Sequence, residues 1–200
     1  MRYASPSKQL SPAWTFTLAF LSWLCVETAL HYAARLGVIG TGVPWYLESV
    51  IELLAVDLVL LAYRPGLLLL SRWRLSLKDV RIAVGAGLFW VTVVALAHTH
   101  KQGFGPAFVV CIVIVVPILE EILMRGALLR SLLGRRRNWL MVAVVALVAA
   151  FLHEVFVTTF LAQCILGFVY LECGCSLGAS IMCHMTMNAI ICFEQLVLLK

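Results

Sequence analysis

An apolar run that begins at Phe104 and carries no charge until Glu120 constrains the fold of this chain most strongly. In hydrocarbon every backbone polar group needs a partner within the protein, which leaves the α-helix and the closed β-barrel as spanning structures. The strands of a barrel alternate in polarity, whereas this run and several others in the chain are continuously apolar. The sequence therefore predicts an all-α membrane protein.

The composition agrees with a membrane protein. Hydrophobic residues make up 63% of the 200 residues, and the mean hydropathy is +1.02. Charged residues make up 12%, which is about half the usual share in a globular protein. The net charge of +5 comes from basic residues between the apolar runs, where it indicates membrane topology rather than a nucleic-acid partner. The seven cysteines show neither zinc-finger nor disulfide-framework spacing.

The apolar segments predict a polytopic bundle of about seven transmembrane helices. They are residues 12–34, 44–63, 82–97, 104–129, 138–153, 155–171 and 176–199. Residues 64–81 form a basic amphipathic linker, which we expect to lie on an anionic leaflet surface. We divide the chain into residues 1–103, with three spans and this linker, and residues 104–200, a second helix bundle that carries the candidate site.

Basic clusters set the expected orientation. The positive-inside rule puts the N-terminus, the linker and Arg135–Arg137 in the cytoplasm, and alternation of the first four spans leads to the same sides. We expect a multi-pass protein of a prokaryotic cell membrane with a cytoplasmic N-terminus. At a rise of about 1.5 Å per residue, the Glu120–Glu121 pair and His153 would lie at similar depth, roughly 20–24 Å from Arg135–Arg137.

Two carboxylates and an arginine end the long apolar run. A charge at bilayer depth costs about 3 kcal/mol on insertion scales, so such residues are functional candidates by default. Glu121 and Arg125 lie one helical turn apart in the order that favours an ion pair. Glu120 is rotated by about 100° from Glu121 and stays available for chemistry. The alternative is that these residues mark a cytosolic helix end, where charged side chains reach water.

Two histidines and an asparagine follow on later spans. His153 ends the fifth predicted span, and His184 lies four residues before Asn188, so that the latter two project from one helix face. One buried histidine is usually a satisfied core residue, but two beside a carboxylate pair indicate chemistry. Together these side chains can supply a general base, a partner that orients it, and donors for a developing oxyanion.

In this order the motifs resemble those of the CAAX prenyl protease and bacteriocin-processing family of intramembrane endopeptidases. Its EExxxR motif corresponds to Glu120–Arg125, preceded by Pro117 and followed by Gly126. Its HxxxN motif corresponds to His184–Asn188, and Gly167–Leu177 resembles the connector before that motif.

The FxxxH motif of that family is half met. His153 is present, but Ala149 stands four residues before it, and the nearest aromatic residue is Phe151. The resemblance covers about residues 104–195, whereas the first three spans match nothing specific.

The resemblance implies a metal-free, cofactor-free hydrolysis of a peptide bond within the membrane. Glu120 with His153 would activate a water molecule, and His184 with Asn188 would stabilise the tetrahedral oxyanion. Glu121 would pair with Arg125 and hold the helix in register. The substrate would be a membrane-anchored protein or peptide, either a prenylated C-terminus, a bacteriocin leader or a sorting tail.

Three alternatives remain at the level of the sequence. The same glutamate and histidines plus water would make a catalytic zinc site, although the chain has no HExxH motif. A transporter with Glu27, Glu52 and Asp57 in a proton pathway would require repeated halves, which the sequence lacks. The third alternative is a family member that binds partners without catalysis, although every polar position needed for the chemistry is retained.

Overall fold

The computed structural model describes the later part of the chain most fully. The described residues are 14, 17, 18, 21, 25, 50, 51, 53–58, 73, 75–95, 106–133, 138–151, 153 and 155–197. Most of the predicted spans 12–34 and 44–63, most of the linker, Glu27, Glu52 and Arg135–Arg137 lie outside them. The described elements are helices without strands, which confirms the all-α prediction.

Five helices are described after residue 76, and the last four, which lie in residues 104–200, follow the predicted spans closely. They are α1 (Leu77–Ala95), α2 (Pro106–Leu133), α3 (Trp139–Phe151), α4 (Phe156–Glu172) and α5 (Leu177–Val197). Among the described residues, two helices are long and apolar enough to cross a membrane, Pro106–Leu133 in α2 and Leu177–Glu194 in α5. α3 and α4 are apolar but shorter, and the number of about seven spans stays a prediction.

Side-chain caps determine where three of these helices begin. Ser76 and Asp79 form a reciprocal capping box, in which each side-chain oxygen accepts the backbone N–H of the other residue. α1 therefore begins five residues before the predicted span, within the stretch predicted as linker. Asn138 Oδ1 accepts the Leu140 N–H at the start of α3, and Ser176 Oγ accepts the Ala179 N–H at the start of α5.

A tight turn joins α4 to α5. The Cys175 N–H donates to the Tyr170 carbonyl and the Gly174 N–H donates to the Leu171 carbonyl, which is the Schellman arrangement. Gly174 has a φ of 67° and Cys175 a φ of 61°, so the first of these left-handed positions suits glycine. The turn brings α5 back against α4 and so places its first polar residues beside the middle of α4.

Two apolar clusters surround the polar centre of the molecule. The first cluster lies between α2, α3 and α4 and consists of Val56, Leu123, Met124, Ala127, Leu128, Leu129, Val142, Val145, Ala149, Tyr170 and Leu171. The second cluster lies between α1, α4 and α5 and consists of Ala83, Trp90, Leu166, Val169, Cys173, Ala179, Cys183 and Met187. α4 contributes to both clusters and is therefore the central helix of the described part.

Close helix contacts hold these clusters together. A Cβ atom on Gly167 would lie 2.3 Å from Val142 Cγ1, so only glycine permits this approach of α4 to α3. At Gly87, a Cβ atom would lie 2.9 Å from Thr186 Cβ, where α1 packs against α5.

Asp57 is also buried, beside Val56 of the first cluster, and its carboxylate has no hydrogen-bond partner among the described residues.

α2 departs from the regular helix that the sequence predicts. It contains two π-helical segments, Cys111–Val115 and Ile122–Leu129, which flank the α-helical turn Val116–Glu121. Pro117 lies in that turn and has no N–H to donate along the helix. π-Helical segments within α-helices are frequent at functional sites, and here the carboxylate pair lies directly before the second one.

Candidate active site

Five of the six predicted site residues converge where α2, α4 and α5 meet. Glu120, Glu121 and Arg125 come from α2, His153 from the turn after α3, and His184 from α5. The sixth, Asn188, lies one turn further along α5 and contacts the backbone of α2.

Glu121 is completely buried and is held by three donors. Its Oε1 accepts from Arg125 Nη1 at 3.0 Å and lies 3.1 Å from His184 Nδ1, and its Oε2 accepts from the Ser180 hydroxyl. The predicted ion pair with Arg125 is therefore confirmed. Because hydrogen bonds reach both oxygens, they fix the plane of the carboxylate.

The Arg125 side chain is 1% exposed and connects α2 to α4 as well as to Glu121. Its Nη1 donates to Gln163 Oε1, and its Nη2 donates to the Gln163 carbonyl at 2.8 Å. A buried guanidinium needs such additional partners, because an ion pair alone does not offset its loss of hydration. Gln163 therefore accepts from both terminal nitrogens of the guanidinium, and it shares Nη1 with Glu121.

Sequence reasoning missed Ser180 and Gln163. Ser180 precedes His184 by four residues and thus extends the face of the HxxxN motif by one turn, a signal that was present in the sequence. Gln163 is an amide in an otherwise apolar stretch of α4 and belongs to no recognised motif. Only its contact with Arg125, 38 residues away in the chain, identifies its role.

Glu120 has different surroundings from its neighbour. Its Oε1 lies 3.7 Å from His153 Nε2, and its Oε2 lies 3.7 Å from His184 Nε2. Both separations are longer than a direct hydrogen bond. The side chain is 13% exposed, so Glu120 lies between two imidazoles at the edge of the buried network.

The orientation of His153 follows from its contact with the end of α3. Its Nδ1 lies 2.8 Å from the Ala149 carbonyl, which can only accept, so Nδ1 carries the hydrogen. In the neutral ring, Nε2 is then an acceptor and faces Glu120. Ala149, the residue that departs from the FxxxH motif, thus contributes its backbone carbonyl to the site, and its side chain lies in the first apolar cluster.

An aromatic contact closes the turn that carries His153. The rings of Phe151 and Phe156 meet edge to face at 5.1 Å, on either side of the histidine in sequence. The Phe151 side chain is largely exposed, so the aromatic residue nearest to the FxxxH position packs across the turn rather than under the imidazole.

His184 is held between the two carboxylates. Its Nδ1 faces Glu121, whose charge favours a hydrogen on that nitrogen, and its Nε2 faces Glu120. The neutral ring would therefore present an acceptor at Nε2, whereas the imidazolium would present a donor there. The protonation state of this ring decides whether it can stabilise an oxyanion.

Asn188 uses one amide hydrogen for the backbone of α2. Its Nδ2 donates to the Ile112 carbonyl at 2.8 Å. The amide nitrogen carries a second hydrogen, which is the one that can serve as a donor to a substrate. Within the described residues, no group of three or more His, Cys, Asp and Glu side chains has a geometry suited to hold a metal ion.

Comparison with known proteins supports the resemblance drawn from the motifs. Residues 101–190 match the family model described as type II CAAX prenyl endopeptidase, Rce1-like. The matched segment contains all six predicted site residues, and it confirms the predicted family resemblance. Comparisons with curated proteins and with solved structures found no match.

Proposed function

Because residues 101–190 are Rce1-like, we propose that this protein is a glutamate-dependent intramembrane endopeptidase. The family supports a CAAX protease that acts in a membrane on a membrane-associated protein. The observation that carries the glutamate mechanism is the position of Glu120, 3.7 Å from each of two imidazoles, beside a fully paired Glu121.

In the proposed first step, Glu120 and His153 activate a water molecule. Glu120 Oε1 and neutral His153 Nε2 are both acceptors, so one water can donate a hydrogen to each of them. The water oxygen then presents a lone pair to the peptide carbonyl carbon. As the C–O bond forms, Glu120 takes the proton and acts as the general base.

In the proposed second step, donors stabilise the oxyanion of the tetrahedral intermediate. His184 donates from Nε2, while its Nδ1 stays hydrogen-bonded to Glu121. The second amide hydrogen of Asn188 is the other donor. Preorganised donors in a site sheltered from water contribute strongly to catalysis because they need no reorientation when charge develops.

In the proposed last step, the intermediate collapses and the carbon–nitrogen bond breaks. The carboxylic acid of Glu120 returns its proton to the leaving nitrogen, so the products are a carboxylic acid and an amine, and transfer of the acid's proton to the amine gives a carboxylate and an ammonium group. Glu120 is then ionised again and ready for the next water. Glu121, Arg125, Gln163 and Ser180 hold the machinery in place and exchange no proton.

The proposed substrate is a membrane-anchored protein or peptide that is cut near its end. The apolar surfaces of α2 and α5 suit a lipid bilayer, and a prenylated C-terminus, a bacteriocin leader and a sorting tail share the required lipid anchorage. No nucleic-acid partner is proposed. The expected location is a prokaryotic cell membrane, crossed several times, with a cytoplasmic N-terminus.

The decisive test is Glu120→Gln, which keeps the shape of the side chain and removes the base. Cleavage of a prenylated reporter peptide in detergent should fall by about 10²–10⁴-fold, the range that general base catalysis contributes. Glu172→Gln on the exposed end of α4 is the matched control and should retain activity. Near-normal turnover by Glu120→Gln would reject the mechanism.

A metal assay separates the metal-free proposal from the zinc alternative. Zinc would have to bind Glu120, His153 and His184 at about 2.0–2.2 Å, yet the two imidazoles face different oxygens of the carboxylate. We expect chelators to leave cleavage intact and purified active protein to contain no stoichiometric zinc. One zinc per chain, lost together with activity, would favour the alternative.

A further inference from the structure

A side chain of α5 completes the backbone hydrogen bonding of α2. Asn188 Nδ2 donates to the Ile112 carbonyl at 2.8 Å, although the two residues are 76 positions apart in the chain. A carbonyl inside a helix normally accepts an N–H from the next turn of the same helix. The contact with Asn188 therefore suggests that the Ile112 carbonyl has lost its N–H donor within α2.

Pro117 supplies the reason. The Val116 N–H donates to the Cys111 carbonyl, five residues earlier, as in a π-helix. At the same spacing the Ile112 carbonyl would accept from residue 117, which is proline and has no N–H. The regular α-helical donor for Ile112 would be Val116, whose N–H is already engaged with Cys111. The carbonyl is thus left without a helical partner, and the amide of Asn188 takes that place.

We propose that Asn188 is a positioning residue that replaces the hydrogen bond lost at Pro117 and so locks α2 to α5. The inference rests on the proposed function and assigns Asn188 an action through the backbone of α2. The α-helical segment Val116–Glu121 that follows Ile112 carries Glu120, and α5 carries His184 one turn before Asn188. The lock therefore sets the 3.7 Å separation between Glu120 Oε2 and His184 Nε2.

The lock makes a specific prediction about two substitutions. Asn188→Ala leaves the Ile112 carbonyl without a donor, so α2 can shift relative to α5. Pro117→Ala restores an N–H at residue 117, which can pair with Ile112 in π-helical geometry. In α-helical geometry Val116 becomes the donor instead, so the carbonyl is satisfied in either case. Pro117→Ala should therefore compensate for Asn188→Ala.

The experiment is a double-mutant cycle in the full chain, read by cleavage of a prenylated reporter peptide and by thermal unfolding. Asn188→Ala should lower kcat by about 10³-fold with little change in KM, because the oxyanion loses a donor and Glu120 is misplaced relative to His184. Pro117→Ala should stay within a few-fold of the parent. The double variant should regain about 10-fold in kcat over Asn188→Ala, because its Ile112 carbonyl is paired again, whereas the Asn188 donor to the oxyanion stays lost.

Pro106→Ala is the matched control, because Pro106 begins the same helix, where a missing N–H leaves no carbonyl unpaired. Combined with Asn188→Ala, it should restore nothing. If Pro117→Ala with Asn188→Ala is as slow as Asn188→Ala alone, Asn188 acts only at the reacting atoms and the lock is refuted. If the parent cleaves no peptide, the proposed function fails. Thermal unfolding of the same variants still tests the lock. If the shifts in melting temperature of Pro117→Ala and Asn188→Ala simply add in the double variant, the lock is refuted.

Discussion

Glu120 and Glu121 are adjacent in the chain and have opposite surroundings. Glu121 is completely buried, and donors from Arg125, Ser180 and His184 reach its two oxygens. Glu120 is partly exposed and lies beyond direct hydrogen-bonding distance of the two imidazoles beside it. Of two neighbouring carboxylates, Glu121 therefore accepts from three buried donors, whereas Glu120 accepts no direct hydrogen bond from the imidazoles beside it.

The difference shows how two neighbouring carboxylates on one helix can have different roles. Successive residues point about 100° apart, so Glu121 faces the buried part of α5, whereas Glu120 lies between His153 and His184. A carboxylate that accepts from three buried donors holds structure, because any change leaves a buried donor unpaired. A carboxylate with open sites can accept a proton from water, and this is the role that we propose for Glu120.

The largest expected effect comes from breaking the network around Glu121. Arg125→Ala leaves the Glu121 charge buried with too few partners, which should lower the free energy of unfolding by about 3–5 kcal/mol. Activity should fall with it, because His184 is held by the same carboxylate. Thermal and denaturant unfolding in detergent, measured beside peptide cleavage, will show both effects.

The matched double variant tests whether the two charges are coupled. Glu121→Gln with Arg125→Met removes both charges and should recover more than half of the stability lost by Arg125→Ala. Recovery is incomplete because Gln163 loses its Arg125 donors. If the double variant is as unstable as the sum of the two single variants, the residues are independent and the ion-pair interpretation is wrong.

A smaller effect is expected for Ser180→Ala, which removes one donor from Glu121 Oε2. A hydrogen bond to a charged group contributes about 1.5–3 kcal/mol, and the loss should appear in the free energy of unfolding. The matched control is Thr186→Val on the same helix, because the Thr186 hydroxyl donates only to the Met182 carbonyl of α5.

The control substitution removes a hydroxyl with almost no change in shape and should leave both stability and activity close to the parent. Equal destabilisation by Ser180→Ala and Thr186→Val would mean that the contact with Glu121 contributes nothing beyond helix packing.

The smallest expected effect is the change in stability caused by Glu120→Gln. No direct hydrogen bond to either imidazole is lost, so the melting temperature should stay within about 2 °C of the parent, although activity falls by about 10²–10⁴-fold. The same substitution at Glu121 should lower the melting temperature clearly. Similar melting shifts for the two variants would remove the distinction between a structural and a reactive carboxylate.

The local part of this arrangement could be predicted from the sequence. α3, α4 and α5 begin and end within a few residues of the predicted spans, because apolar runs and capping residues act over short distances. The Glu121–Arg125 ion pair follows from helical spacing alone. The start of α1 was misplaced, because the Ser76–Asp79 capping box lies within a basic stretch that was interpreted as a linker.

By itself, the sequence determined the helical fold class, the order of the motifs and the residues that could do chemistry. Only the tertiary structure decided which carboxylate is saturated, which imidazole nitrogen faces Glu120, and that Asn188 meets the Ile112 carbonyl. These features depend on Gln163, Ser180 and Asn188 meeting α2 across 38 to 76 residues of chain. The physical reason is that a hydrogen bond is set by distance and direction in space, whereas helical spacing determines only which residues share a face.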